Sequence, residues 1–409
     1  MRLLEVDTVQ VVRDKMEQYY GDIESGHEDV DIVKALGRVA FEEVFSKVDI
    51  PDFNRSTVDG YAVVSKDTFG ASESLPVFLE VIGKVEMGMA TPLKISSGKC
   101  AYVPTGGMIP EGADGMIMIE YVESIDEGSI AAYSAVAPGE NIILKGDDVR
   151  NGQSIIKKGR IIKPQDIGVL CAAGLKSIKV AKPPRVAVIS TGDEIVDPFG
   201  ETGLGQVRDI NTYTLSALAE ELGGKVTKKA VIKDDFELLK KAIEEAAYGN
   251  DIVVVSGGSS VGAKDNTEKV IDSFGAPGVF VHGVAVKPGK PTILGRVGNA
   301  AVFGLPGHPV SAVIIFRIFV EYMIDRLLGK TREAIQIQAV SSANIHSSPG
   351  KETYQMVEIE EEKDGSYTAK PIYAKSAAIS QLSKAQGFIR IPVNTEGIQK
   401  GETVKVELF

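Results

Sequence analysis

From Arg185 onward the chain alternates hydrophobic, β-branched runs with helical patterns, and four of the runs stop abruptly in loops of Gly, Pro, Ser and acidic residues. The runs are VAVIS, DIVVVS, VFVHGVAV and AAVFGL. Their loops are STGDE (Ser190 to Glu194), SGGSSVGAKD (Ser256 to Asp265), KPGKP (Lys287 to Pro291) and LPGHP (Leu305 to Pro309). Strands without polar alternation are buried on both faces, and strands separated by helices predict a doubly wound parallel α/β sheet over 183–330. Between them, Leu215, Leu218, Ala219 and Leu222 share one helical face before Gly223-Gly224. Asp234-Asp235 is placed to cap a second helix that carries Leu238, Leu239, Ala242, Ile243 and Ala246. In an open sheet of this kind ligands bind at the carboxyl ends of the strands, where backbone N–H groups converge. Four loops at that edge predict one shared pocket.

The rest of the chain is patterned differently. Residues 5–21 and 29–45 have helical periodicity, whereas Val48 to about Val136 breaks into short alternating runs with frequent Gly and Pro, the mark of a β-rich domain. After Gly139, GENIILKGDDV and NGQSIIKKGRIIKPQDIGVLCAAG read as a hairpin-like stretch followed by a short helix from Pro164. Pro183-Pro184 marks a boundary, since paired prolines favour extended linkers. Beyond Gly329, YQMVEIEEE, a turn at Asp364-Gly365, SYTAKPI, FIRIPV and ETVKVELF predict a small all-β domain.

A chain of 409 residues exceeds one ordinary core and predicts two to four domains. Its formal charge of -11 argues against a broad nucleic-acid or anionic-membrane surface, which needs a positive face. The two cysteines, Cys100 and Cys171, support neither a disulfide framework nor a cysteine zinc site, and both are expected to be core thiols. Charges in MRLLEVDTVQ argue against a signal peptide and for a cytoplasmic protein. Val310 to Leu328 is long enough to span a bilayer, but Arg317, Glu321 and Asp325 at i, i+4 spacing make it an amphipathic helix.

Each loop also has a plain structural explanation. In SGGSSVG, glycine lets backbone approach an oxyanion closely, yet Gly257 and Gly258 could equally form a tight turn with Asp265 as a cap. Lys287 and Lys290 flank a rigid Pro-Gly turn suited to phosphate or another oxyanion, although most lysines are solvated. Pro309 opens the long helix at a position where proline is favoured. Thr191, Asp193 and Glu194 stand at a strand end, where carboxylates would repel an anion unless Mg²⁺ intervened; taken singly, each acid is explained more simply as a cap. Asp59-Gly60 and Pro110 to Gly112 read as turns, and His27, His282, His308 and His346 lack metal-ligand spacing. Neither a Ser-His-Asp arrangement nor a Gly-x-Ser-x-Gly elbow is present.

Together the loops resemble the molybdopterin molybdenumtransferase family, MoeA and the gephyrin E domain, across almost the whole chain. STVDGYAV, PTGGMIPEGAD, GENI with GDDV, STGDEIV, GGSSVGAKD, KPGKP and GLPGHPVSA occur in family order. The resemblance implies the last step of molybdenum cofactor biosynthesis: adenylylated molybdopterin and molybdate bind together, the metal enters the dithiolene, and AMP is released with Mg²⁺ as cofactor. At matching positions Asp59, Asp148, Glu194, Asp235 and Asp265 would be catalytic, with Glu194 and Asp265 as metal ligands. Thr105, Thr191, Gly257, Gly258, Ser259, Ser260, Lys287, Lys290, Pro306, Pro309 and Ser376 would bind substrate.

The family pattern implies a discontinuous linking domain (1–47 and 137–182), a β-rich domain (48–136), a MogA-like α/β domain (183–330) and a β-barrel-like domain (331–409). It also implies a homodimer in which Asp59, Thr105 and Asp148 reach the site from the second subunit, with molybdopterin adenylyltransferase as a further partner. Three positions depart from the pattern. Ile143 stands where a basic residue is usual, with Lys145 the nearest cation; His308 replaces an asparagine; and Lys351 replaces an arginine and with it a bidentate donor. Alternative readings are a molybdopterin adenylyltransferase, which shares the α/β loops, and a gephyrin-like scaffold; the added β-rich domains and the lack of a disordered linker argue against them.

Overall fold

The computed structural model describes residues 6–257, 266–331, 335–373 and 378–409. Its central feature is a six-stranded sheet in the order Lys225–Ile232, Arg185–Thr191, Ile252–Ser256, Ala300–Leu305, Ile293–Val297, Gly278–His282. The first four strands are parallel; Ile293–Val297 pairs antiparallel with both of its neighbours, so it alone is reversed. The expected parallel sheet thus carries one hairpin strand near its edge. The β-branched runs are buried on both faces because successive side chains point opposite ways. Val186, Val188, Ile252, Val254 and Phe303 join one apolar cluster, while Ala187, Ile189, Val253, Val255 and Val302 join another.

The second cluster is covered by the Phe236–Ala247 and Thr267–Asp272 helices. The first is covered by the Asn211–Glu221 helix and a continuous helical run of Pro309–Ile315, a π-helical turn Phe316–Val320 and Glu321–Leu328. The polar stripe of that run is neutralised locally: Arg317 pairs with Glu321 and Glu221 at 3.3 Å, and Lys330 with Asp325 at 3.2 Å. Among the described residues no helix is long and apolar enough to cross a membrane.

The first helix, Val9–Tyr20, also packs on this body. Val12, Met16 and Tyr20 are fully buried there, and the Tyr20 hydroxyl donates to the carbonyls of Gly295 (2.8 Å) and Val302 (3.3 Å). Residues 27–45 pack elsewhere and do not form the helix their periodicity suggests. His27–Asp31 is a strand paired with Ser177–Ala181, Ile32–Lys34 is a single 3-10 turn, and Val44–Phe45 pairs with Ser154–Ile156. Their apolar residues Ile32, Ala35 and Ala40 are buried against Ile156, Ile162, Leu170, Ile178 and Val180, partners about 120 or more residues away that outweigh local propensity. The stretch after Gly139 is likewise no hairpin, because Ile142–Ile143 pairs with Arg55–Ser56 rather than with residues that follow it.

Between these segments lies a six-stranded sheet in the order Gly115–Met118, Gly60–Val63, Lys99–Val103, Val77–Lys84, Ser129–Ala132, Val122–Asp126. At the C-terminus, Glu352–Glu361, Tyr367–Pro371, Gln336–Ser341, Thr403–Leu408 and Gly387–Ile391 pair in sequence and close back on Glu352–Glu361 as a barrel. Closure removes the free edges that an open sheet would expose. The cysteine expectation also fails in part: Cys100 is buried, but Cys171 is exposed on the Pro164–Ala172 helix.

Candidate functional site

The strands of the central sheet deliver their loops to one edge. Arg185–Thr191 ends in Thr191, a buried residue whose Oγ1 donates to Asp234 Oδ1 at 2.6 Å. The Asp234 N–H in turn donates to Asp193 Oδ1 at 3.3 Å, which joins the loop after that strand to the loop after Lys225–Ile232. Glu194 is exposed, and its carboxylate folds back to within 2.9 Å of where a Cβ on Gly192 would lie. Asp235 caps the Phe236–Ala247 helix by accepting from the Leu238 N–H at 2.9 Å. The cap role inferred for the Asp234-Asp235 pair therefore belongs to Asp235.

Ile252–Ser256 leads into Gly257, which has a φ of 104° and whose added Cβ would lie 2.3 Å from the Thr191 carbonyl oxygen. No other residue fits this close approach. Its N–H is not free for a ligand, since it donates to Leu305 O at 3.0 Å. Pro306 and Pro309 are buried, and Gly307 lies against Gly257, with a built Cβ 3.6 Å from the Gly257 Cα. Lys287 and Lys290 are exposed, and among the described residues neither ammonium has an ion-pair or hydrogen-bond partner. Lys287 is not in an open loop as its sequence suggests: Val286–Lys287 adds a parallel strand to the barrel, opposite Glu352 and Thr353. The turn that follows is held by the Lys290 carbonyl, which accepts from the N–H groups of Val284 and Thr292 at 2.9 Å.

A second group lies in the β-rich part. Asp59 Oδ1 accepts from the Thr105 N–H at 2.8 Å, which brings together two residues 46 positions apart. Asp148 is exposed on the loop anchored by its N–H to Ile50 O at 3.1 Å. Ile143 is paired in register with exposed Arg55, so a guanidinium stands on the neighbouring strand at the position where the family pattern departs. Among the described residues no hydrogen bond or ion pair joins Asp59, Thr105 or Asp148 to the loops of the central sheet. Gly258, Ser259, Ser260, Asp265 and Ser376 lie outside the described residues.

Mg²⁺ is compatible with the donors present. Among the described residues no three His, Cys, Asp or Glu side chains form a ready metal cage. Mg²⁺ does not require one, because it keeps water and binds through one or two carboxylates plus phosphate oxygens. Exposed Glu194 meets that requirement, whereas Asp235 already has one oxygen engaged as a cap. Sequence reasoning passed over Asp209 and Asn211, which are buried directly below the loops. The available signal was a pair of polar residues entering a helix with an apolar face.

Three family models match the chain in succession. Residues 6–174 match the MoeA N-terminal region (domain I and II), 187–326 a probable molybdopterin binding domain, and 338–409 the MoeA C-terminal region (domain IV). A putative molybdopterin biosynthesis protein of Methanocaldococcus jannaschii is 34% identical over 98% of this chain and 96% of its own. A molybdopterin molybdenumtransferase of Haemophilus influenzae is 31% identical over 93% of each chain. A solved structure of a molybdopterin biosynthesis MoeA protein from Pyrococcus horikoshii superimposes with a TM-score of 0.83 at 30% identity, covering 99% of this chain and 100% of that one. Family models, relatives and fold agree from end to end, and the chain belongs to the MoeA family.

Proposed function

We propose that the chain is a molybdopterin molybdenumtransferase that inserts molybdenum from molybdate into adenylylated molybdopterin and releases AMP, acting as a cytosolic homodimer. The reading is supported by an exposed carboxylate at Glu194 and, at Gly257, backbone packed too closely for a side chain, both in loops at the carboxyl edge of the central sheet, in a chain whose relatives include named molybdopterin molybdenumtransferases.

Each feature has a task. Among the described residues Lys287 and Lys290 have no carboxylate partner, which suits them to the oxyanions of molybdate or the pyrophosphate link. Gly257 and Gly307 lower the floor so that a ligand can approach the backbone. Mg²⁺ would be held by Glu194 and substrate phosphate oxygens, and when bound it offsets charge on the leaving phosphate. Thr105 orients Asp59 through one oxygen, which leaves Oδ2 to meet the ligand. For that meeting the β-rich part of a two-fold partner would be set across the cleft, since among the described residues these make no bond to the central loops of their own chain.

AMP release from adenylylated molybdopterin, measured with molybdate or tungstate and with or without Mg²⁺, tests the proposal. Mg²⁺-dependent release by the native chain that is lost in Glu194→Ala, with the fold retained, is the expected result. A chain that instead made adenylylated molybdopterin from ATP would be an adenylyltransferase, and one that did neither would be a scaffold.

A further inference from the structure

Below the loops lies a buried polar floor to which the proposed chemistry gives no task. Asn211, the first residue of the Asn211–Glu221 helix, is 8% exposed, and its Nδ2 donates at 2.8 Å to both Ser256 Oγ and the Gly307 carbonyl. Both amide protons are therefore in use. Ser256 ends the Ile252–Ser256 strand and Gly307 sits in the loop after Ala300–Leu305, so one side chain bridges the ends of two adjacent strands. Two residues earlier Asp209, 3% exposed, accepts through Oδ1 from Ser190 Oγ (3.0 Å) and the Thr212 N–H (3.1 Å), which ties in the third strand, while Oδ2 has no donor among the described residues. The Ser190 and Thr212 hydroxyls are themselves 2.7 Å apart. A single segment, 209–212, thus braces the ends of three strands from below.

We propose that Asn211 is a positioning residue that sets the separation of the Gly257 and Gly307 backbones, and with it the floor on which the ligand rests. The Gly257 N–H bond to Leu305 O fixes the ends of the two strands, but beyond it Gly307 has no side chain to interlock with Gly257. The two Asn211 amide bonds hold the Gly307 loop there, in a buried site where an unmade hydrogen bond is costly. The catalytic consequence rests on the function proposed above; the bracing itself does not.

The test has three arms in the full-length chain. In unmodified protein both Nδ2 protons of Asn211 should resist solvent exchange in a side-chain amide NMR experiment, and fast exchange of either overturns the proposal. Asn211→Asp keeps the shape but loses both donors, and Asn211→Ser keeps one donor on a smaller side chain. Both should raise KM for adenylylated molybdopterin by roughly tenfold or more, with kcat changed less, the scale expected when one buried hydrogen bond holding the floor is lost. Hydrogen exchange across residues 305–309 of the ligand-free variants should quicken. A lower Tm with KM and exchange unchanged would mean that Asn211 serves stability alone, and the proposal fails. A native chain that releases no AMP while Asn211→Ser still quickens exchange would overturn the function but not the brace.

Discussion

Lysines in this chain differ in their surroundings: Lys330 pairs with Asp325, whereas Lys287 and Lys290 are exposed and have no ion-pair partner among the described residues. Replacing either with alanine disturbs no ion pair among the described residues, so if the lysines contact the ligand its affinity should fall by roughly 1–3 kcal/mol with little change in Tm. Titration calorimetry with adenylylated molybdopterin measures this, and unchanged affinity would exclude both lysines from the site. The two cysteines make a second contrast at this scale. Burial pushes the Cys100 thiol up to about 12, so it stays protonated and shielded at pH 8, while Cys171 is exposed on its helix. A thiol-reactive probe at pH 8 should label one site in the native chain and two after denaturation.

Among the elements, the Phe236–Ala247 helix is capped by an acid that the family resemblance also places in the site. Asp235 caps it through a 2.9 Å bond from the Leu238 N–H, so Asp235→Ala should cost about 1 kcal/mol of stability, seen as a lower midpoint in denaturant. Asp235→Asn keeps the accepting oxygen and should restore the midpoint. If AMP release remains lost in Asp235→Asn, the carboxylate charge acts in the reaction as well; if it recovers, Asp235 is a cap alone. The cap was legible in the sequence because capping is local: an acidic residue followed three positions later by the N–H it accepts. The strand that carries Lys287 was not, because its partner, Glu352–Glu361, begins 65 residues on.

For the whole molecule, the decisive question is whether Asp59, Thr105 and Asp148 meet the central loops of a second subunit. If the site is shared across a two-fold axis, co-expressed Asp59→Ala and Glu194→Ala chains should form heterodimers with one intact site. Activity should then recover to roughly a quarter of native, since half of the randomly paired dimers are mixed and each holds one of two sites. Activity no higher than either parent, with mixed dimers verified by mass, would place the whole site within one chain.

The sequence by itself determined the elements whose signals are local or periodic. These are the doubly buried strands of the central sheet, the amphipathic helices that cover it, the alternating strands of the C-terminal barrel and the glycine turns. It also determined where the candidate loops lie, since a β-branched run that breaks into Gly and Pro marks a strand end. What only the tertiary structure decided were pairings across long stretches of chain. Residues 29–45 carry a helical rhythm yet are drawn into strand and turn by Ile156, Ile162 and Ile178. Ile293–Val297 turns back against its neighbours, and Val286–Lys287 crosses to the barrel. Asp209 and Asn211 looked like ordinary residues entering a helix, and only the packing of three strand ends above them made them the floor. Capping and periodic burial involve neighbours along the chain, whereas strand partners and buried polar networks are chosen by which distant groups can satisfy each other once water is excluded.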